Sequence, residues 1–411
     1  MSRTSLICMT AVILSLGMVF VGVTATVQAA TKAEPIKIGV TVEQTGPMGM
    51  HGKPLIRGVQ AYIHRVNKSG GVLGRPVEAI ILDDKSSPAE AIKNVRDLIY
   101  NNKVDFIVQG INSASSLGVS EICRTAKVPI FCNGTTEAVT TEKGHRYVFR
   151  AIMSSTGQSY GAAWYIHKHW PDRKKFYILA HDFEFGRRVS SDFWKHMQKL
   201  NPNATLVGDS WIKLTEMDYS PYIAKLRGAK PEIALTVLAA ASTFVKQAVP
   251  AGVYKEMQVV TSAWQLGELV SWPKSDVPVG AILAGTPWYG INNPENTAFV
   301  GLIKELFNTT PVDCDYYTYI STMFGLEAVR KAGTTDKEKI VDALEGLTLD
   351  TPVGKVTLRD FDHQSTHAYY MGRVAWSDKY GYGIIENPEQ IPAADVLPTK
   401  AEVEAARKAA K

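Results

Sequence analysis

The chain has 411 residues, 45% hydrophobic and 21% charged. These are the proportions of a globular protein with material for two or three domains, not of a disordered or fibrous chain. The net charge of +5, from 45 basic and 40 acidic residues dispersed along the sequence, excludes the concentrated basic face of a nucleic-acid binder.

The first thirty residues carry Arg3 as their only charge, then the apolar run "LICMTAVILSLGMVFVGVTA" and the small-residue stretch "TVQAA". This is the pattern of a secretory signal peptide over residues 1–29, cut near Ala29 or Ala30. A membrane anchor is the alternative, since the run approaches the length of a span. However, the flank "TKAEPIKIGV" passes into a strand without a basic stop, and Cys8 precedes most of the apolar run, which argues against a lipid-bearing mature terminus. Removing residues 1–29 deletes Arg3, so +5 becomes +4, and leaves Cys123, Cys132 and Cys314. Export permits disulfides; Cys123 with Cys132 is the candidate pair, which the sequence leaves open.

From Ile36 onward, short apolar runs alternate with amphipathic segments, the signature of β-α-β units around a parallel sheet. Strand 36–42 leads to the segment 53–74, which carries apolar residues at helical spacing until Gly70 and Gly71 stop it, and then to strand 77–82. Ser87 and Pro88 open a helix that runs to about Asn101. "VDFIVQG", a helix over 114–126 and "VPIFCN" complete the first series. A second begins after Arg150: a helix in "GQSYGAAWYIHKHW", strand 175–180, a helix to 200, then "ATLVGDSWI", "YSPYIAKLRG", "EIALTVL", "STFVKQAVPAG" and "MQVVTSA". Two late helices, a third in "DKEKIVDALEG", and the strands "KVTL" and "AYYMGRVAW" are too few for a third core. The chain is therefore expected to cross back and add elements to both existing sheets. The fold class is α/β with two lobes, each a parallel sheet flanked by helices, joined by a three-strand hinge. The lobes are 34–153 plus 285–358 and 154–284 plus 359–395. Residues 396–411 are expected as a charged C-terminal tail: "PTKAEVEAARKAAK" has the pattern of a charged surface helix that frays, and a solvated tail is the preferred reading.

Enzyme signatures of layered folds are absent: no G-x-G-x-x-G after the first strand, no P-loop, no H-E-x-x-H and no G-x-S-x-G. Asp83 and Asp84 are adjacent on a strand, so they cannot converge on a metal, and they are expected as capping carboxylates. His167 and His169 lie two apart on a helix and face different ways. No metal or cofactor is expected.

"GINSASS" and "CNGTTE" are two similar corners at the ends of neighbouring strands. In an open parallel sheet, ligands lie beyond the carboxyl ends of the strands, and free N–H groups at helix N-termini favour an anion. Ser113 and Thr136 would add hydroxyl donors, and Gly134 would allow close approach. Two readings stay open at this point: ordinary helix caps, or a shared carboxylate site.

The "TGP" turn, "NKSGGVLGRPVE", "DDKSSP", "GINSASS", "VPIFCNGTT", "DFEFGRR", "YSPYIAKLR" and "TPVGKVTL" together resemble the branched-chain amino acid group of type I periplasmic solute-binding proteins over nearly the whole mature chain. The resemblance implies a non-enzymatic periplasmic receptor that closes on a small carboxylate and presents it to an inner-membrane ABC permease. It places Ser113, Gly134 and Thr136 on the carboxylate, His51 where an aromatic residue nears the ligand, and Phe185 where a tyrosine reaches over from the second lobe. Two departures matter. The family's small disulfide would join positions matching Ser86 and Asn112, neither of which is cysteine, and the acid that meets an amino acid's ammonium is replaced by Ala263 and Trp264. A buried ammonium without a partner costs several kcal/mol, so the expected ligand is a carboxylate with an apolar or aromatic body, lined by Trp264, Phe185, Tyr160 and Trp288. The alternatives are a branched-chain amino acid, with Glu268 moved into the ammonium site, and an exported two-lobed α/β enzyme. The protein is expected to be monomeric.

Overall fold

The computed structural model describes residues 34–239, 241–262, 266–391 and 393–410; the expected signal peptide, Ala263 and Trp264 lie outside the described residues. In chain order the first series is β1 (Ile36–Val42), α1 (Gly52–Lys68), β2 (Val77–Asp83), α2 (Pro88–Tyr100), β3 (Phe106–Gln109), α3 (Ser113–Ala126), β4 (Ile130–Phe131) and β5 (Val148–Phe149). Its strands form one wholly parallel sheet in the order β2-β1-β3-β4-β5. Helix starts follow local chemistry. Ser87 Oγ accepts from Glu90 N–H ahead of Pro88, and Asn112 Oδ1 accepts from the N–H groups of Ala114 and Ser115 at 3.0 and 3.1 Å.

The second series is α4 (Ser155–His169), β6 (Lys175–His181), α5 (Glu184–Leu200), β7 (Thr205–Ile212), α6 (Ser220–Gly228), β8 (Ile233–Val237), α7 (Ser242–Ala248), α8 (Val253–Glu256), β9 (Gln258–Thr261), α9 (Leu266–Ser271) and β10 (Ile282–Ala284). After it come α10 (Pro294–Phe307), α11 (Asp313–Ala332), α12 (Lys337–Leu344), β11 (Thr348–Thr351), β12 (Gly354–Thr357), β13 (Tyr369–Ser377), β14 (Tyr382–Ile391), α13 (Ala393–Val396) and α14 (Lys400–Ala409). The second sheet has the order β14-β13-β10-β9-β8-β6-β7.

The chain does cross back. α11 is buried along most of its length and packs on α1 so closely that a Cβ at Gly58 would lie 2.0 Å from Asp315 O, while β13 and β14 join the second sheet. Three differences from the sequence expectations follow. The second sheet is parallel only from β7 to β10, because β13 and β14 add antiparallel. "KVTL" joins neither sheet; it pairs with β11 as a separate hairpin. The C-terminal segment is no solvated tail: Thr399 and Glu402 form a capping box, Val403 is buried, and Arg407 donates to the carbonyls of Thr141, Phe361 and Thr140 at 3.2, 3.0 and 3.1 Å. Cys123 and Cys132, the candidate pair, are buried free thiols; burial pushes the Cys132 thiol up to about 12.

Candidate functional site

The two corners meet. Ser113 is the first residue of α3, and its Oγ accepts from Thr136 N–H at 3.3 Å, while Ser116 Oγ accepts from Gly134 N–H at 3.1 Å. Glycine is required at 134 for a reason other than ligand access: an added Cβ would sit 2.2 Å from Ser116 Oγ and 2.8 Å from Ser113 Cα. The space it leaves is filled by the first turn of α3, and its N–H is already engaged. Among the described residues, the N–H groups of Ser113 and Thr135 make no hydrogen bond. They are the unengaged donors that a helix start and its neighbouring corner leave over. The positions matching the family's disulfide are joined instead by a hydrogen bond, Asn112 Nδ2 to Ser86 O at 3.3 Å.

Arg150 sets the direction of the second corner. Fully buried, its Nη1 donates to the carbonyls of Gly134, Thr135 and Thr136 at 3.4, 3.0 and 2.6 Å, Nη2 to Thr140 Oγ1 at 2.8 Å and Nε to Gln364 Oε1 at 2.5 Å. With three successive carbonyls drawn to one cation, the 134–136 segment is held in a single conformation. Nothing in the sequence marks Arg150, because its burial depends on how the chain turns back on itself over residues 134–140 and on Gln364, 214 residues away.

A cavity of about 40 Å³ lies beside this corner. Ile111, Asn133, Thr135, Met48, His51 and Tyr317 line one side; Gln158, Phe183, Phe185 and Ala239 line the other. None of these described lining residues is an acid, a lysine or an arginine. Phe183 and Phe185 flank the start of α5 with ring centroids 5.9 Å apart. Asn133 is engaged on both sides, donating to Gln109 O at 2.8 Å and accepting from Ser321 Oγ at 2.9 Å, whereas Gln158 Oε1 has no partner among the described residues. His51 Nε2 reaches Ala239 O at 3.5 Å, and burial lowers its ionisation to about 4, so the ring is neutral at physiological pH.

Of the residues singled out in the sequence, His51 and Phe185 line the cavity, and Ser113, Gly134 and Thr136 form the corner next to it. Tyr160 lies elsewhere, in a surface hollow with Asp192, His196 and Lys199. Trp288 is core, its ring centroid 5.1 Å from those of both Phe299 and Tyr316. Asp83 and Asp84 cap backbone: Asp83 accepts from the N–H groups of Gln44, Thr45 and Lys85. Glu268 is buried and accepts from Ala241 N–H at 2.8 Å; it does not line the cavity. Glu184 lies between the two phenylalanines in the chain without lining the cavity itself, and its Oε1 accepts from Thr136 Oγ1 at 2.8 Å. Its place in "FEFGRR" was the available signal.

Comparison with known proteins agrees with this fold. Residues 35–379 match the family described as periplasmic binding protein. A leucine-, isoleucine-, valine-, threonine- and alanine-binding protein of Pseudomonas aeruginosa is 24% identical over 80% of this chain and 89% of its own length. An amino acid ABC transporter substrate-binding protein from Pseudomonas fluorescens Pf-5 superposes with TM-score 0.81 at 20% identity, covering 91% of this chain and 99% of that one. A solute-binding protein of an ABC transporter from Rhodopseudomonas palustris BisB5, solved with 3,4-dihydroxybenzoic acid, superposes with TM-score 0.79 at 22% identity, over 87% and 98% of the two chains.

Proposed function

The chain belongs to the periplasmic binding protein family, and from that premise we propose that it is the exported receptor of an ABC importer. Its ligand is a small carboxylate with an apolar or aromatic body, handed to a permease in the inner membrane. Residues 1–29 direct export, and the mature protein acts as a monomer.

The observation that carries this reading is the character of the cavity. Phe183, Phe185, Tyr317, Ile111 and Met48 wall it without a charged side chain among its described lining residues; the N–H group of Thr135, a lining residue, is unengaged among the described residues, as is that of Ser113 in the neighbouring corner. A carboxylate is held by such donors through charge-assisted hydrogen bonds, and aromatic walls supply contact area for a flat body. The R. palustris protein solved with a dihydroxybenzoate supports the same ligand class.

The cavity of about 40 Å³ is well below the about 150 Å³ that accepts benzene. A ring enters only when the walls part. The two lobes, 34–153 plus 285–358 and 154–284 plus 359–395, supply that motion about crossovers near 150–156, 283–288 and 355–365, as hinge closure does in proteins of this architecture.

One observation favours the branched-chain amino acid reading. Glu184, next in the chain to Phe183 and Phe185 of the cavity wall, sets a carboxylate against Thr136, and a small outward shift would offer it to the ammonium that Glu268, engaged with Ala241, does not meet. Titration calorimetry with benzoate and with leucine separates the two. The expected result is heat with benzoate and none with leucine, and recovery of the benzoate unchanged removes an enzymatic role. Tight leucine binding without benzoate binding overturns the aromatic-acid reading.

A further inference from the structure

The Thr136–Glu184 hydrogen bond joins the corner after β4 to the first residue of α5, so it ties an element of the first sheet to one of the second. Its acceptor is a carboxylate, and its donor belongs to the corner assigned above to the ligand's carboxylate. Glu184 makes no ion pair among the described residues, and it is held between Phe183 and Phe185, both of which wall the cavity. The protein thus presents one of its own carboxylates where the ligand's carboxylate is expected. Arg188 and Glu142 also join α5 to the first series, at 3.0 Å, but they do not involve the corner.

We propose that Glu184 is an internal competitor for the ligand's carboxylate. Without ligand it accepts the Thr136 hydroxyl and holds the cleft shut; an incoming carboxylate must displace it. The proposal rests on the carboxylate reading of the cleft. A hydroxyl has one hydrogen to donate, and two carboxylates at one site repel, so the two acceptors exclude each other. Molecules latched shut cannot admit ligand, and the apparent affinity falls in proportion to the open fraction. Glu184 then acts as a specificity-determining residue: only a ligand whose body gains enough in the cavity offsets the exchange.

The test begins without ligand. Small-angle X-ray scattering of the wild type, Glu184→Ala, Thr136→Val and the double variant is expected to give a larger radius of gyration for each single variant and no further increase for the double. Calorimetry with benzoate is expected to show about tenfold tighter binding to Glu184→Ala, the effect of losing one hydrogen bond to a charged group. Unliganded variants that scatter like the wild type overturn the proposal. So does weaker benzoate binding by Glu184→Ala, or leucine binding that Glu184→Ala abolishes, since Glu184 would then be the ligand's partner. If the variants open and neither protein binds benzoate, the latch stands and the aromatic-acid reading falls.

Discussion

Asp84 follows the last residue of β2 and has no exposed surface. Oδ1 accepts from Ser86 N–H at 2.9 Å, and Oδ2 has no partner among the described residues. Burial, with the charge of nearby Glu43 second, pushes its carboxyl up to about 8, and burial raises Glu43 as well. A carboxyl whose folded ionisation lies above its unfolded value binds its proton more tightly when folded, so its contribution to stability is complete below about pH 4 and is lost as pH rises through about 8. Asp84→Asn keeps the acceptor for Ser86, turns an amide toward Glu43 and removes the titration. We expect the variant to match the wild type near pH 4 and to exceed it by about 1–3 kcal/mol at pH 8, read from urea unfolding at the two pH values. The pairing of these acids was not legible in sequence, where Asp84 is one of two adjacent aspartates and Glu43 lies forty residues earlier. What was legible was the capping role of Asp83 and Asp84 at a strand end, which depends on neighbours along the chain.

At the level of elements, α14 shows how a helix and its docking separate. "PTKAEVEAARKAAK" marks a helix start through Thr399 and Glu402, and both reciprocal bonds form. The docking depends on one buried apolar side chain, Val403, and on Arg407, whose guanidinium meets carbonyls from two distant segments. In sequence that arginine is indistinguishable from a solvated charge. Arg407→Ala should cost about 1–3 kcal/mol, because partly buried carbonyls lose their donor, and a lowered urea midpoint with unchanged slope is the expected readout. β14 escaped for a related reason. It contains Pro388 and a positive φ at Asn387, features that argue against a strand interior, yet its place on the outer edge of the second sheet tolerates both.

Over the whole molecule, the two series are tied where the chain passes between them. Arg150 N–H donates to His363 O at 3.0 Å, Ser365 N–H to Arg150 O at 2.9 Å, and Gln364 Nε2 to Ile152 O at 2.7 Å. The side chain of Arg150, which shapes the 134–136 corner, therefore depends on Gln364, so the crossover and the binding corner are mechanically one unit. Gln364→Leu leaves the buried Nε of Arg150 without its acceptor. We expect a loss of about 2–4 kcal/mol of stability by urea unfolding, with weaker ligand binding in calorimetry, because the three carbonyls lose a rigid anchor. A variant as stable as the wild type would show that the crossover does not support the corner.

Taken alone, the order of residues determined the alternation of strands and helices, the two successive α/β series, the return of the late helices and the two corners that meet at Ser113 and Thr136. These follow from hydrophobic period and capping chemistry, which act between neighbours along the chain. Tertiary structure alone decided that Gly134 serves packing, that Trp288 is core and Tyr160 peripheral, that His51 is neutral, and that Glu184 stands against Thr136. Each of these depends on burial and on partners distant in sequence, quantities that exist only once the chain has folded and brought those groups out of water.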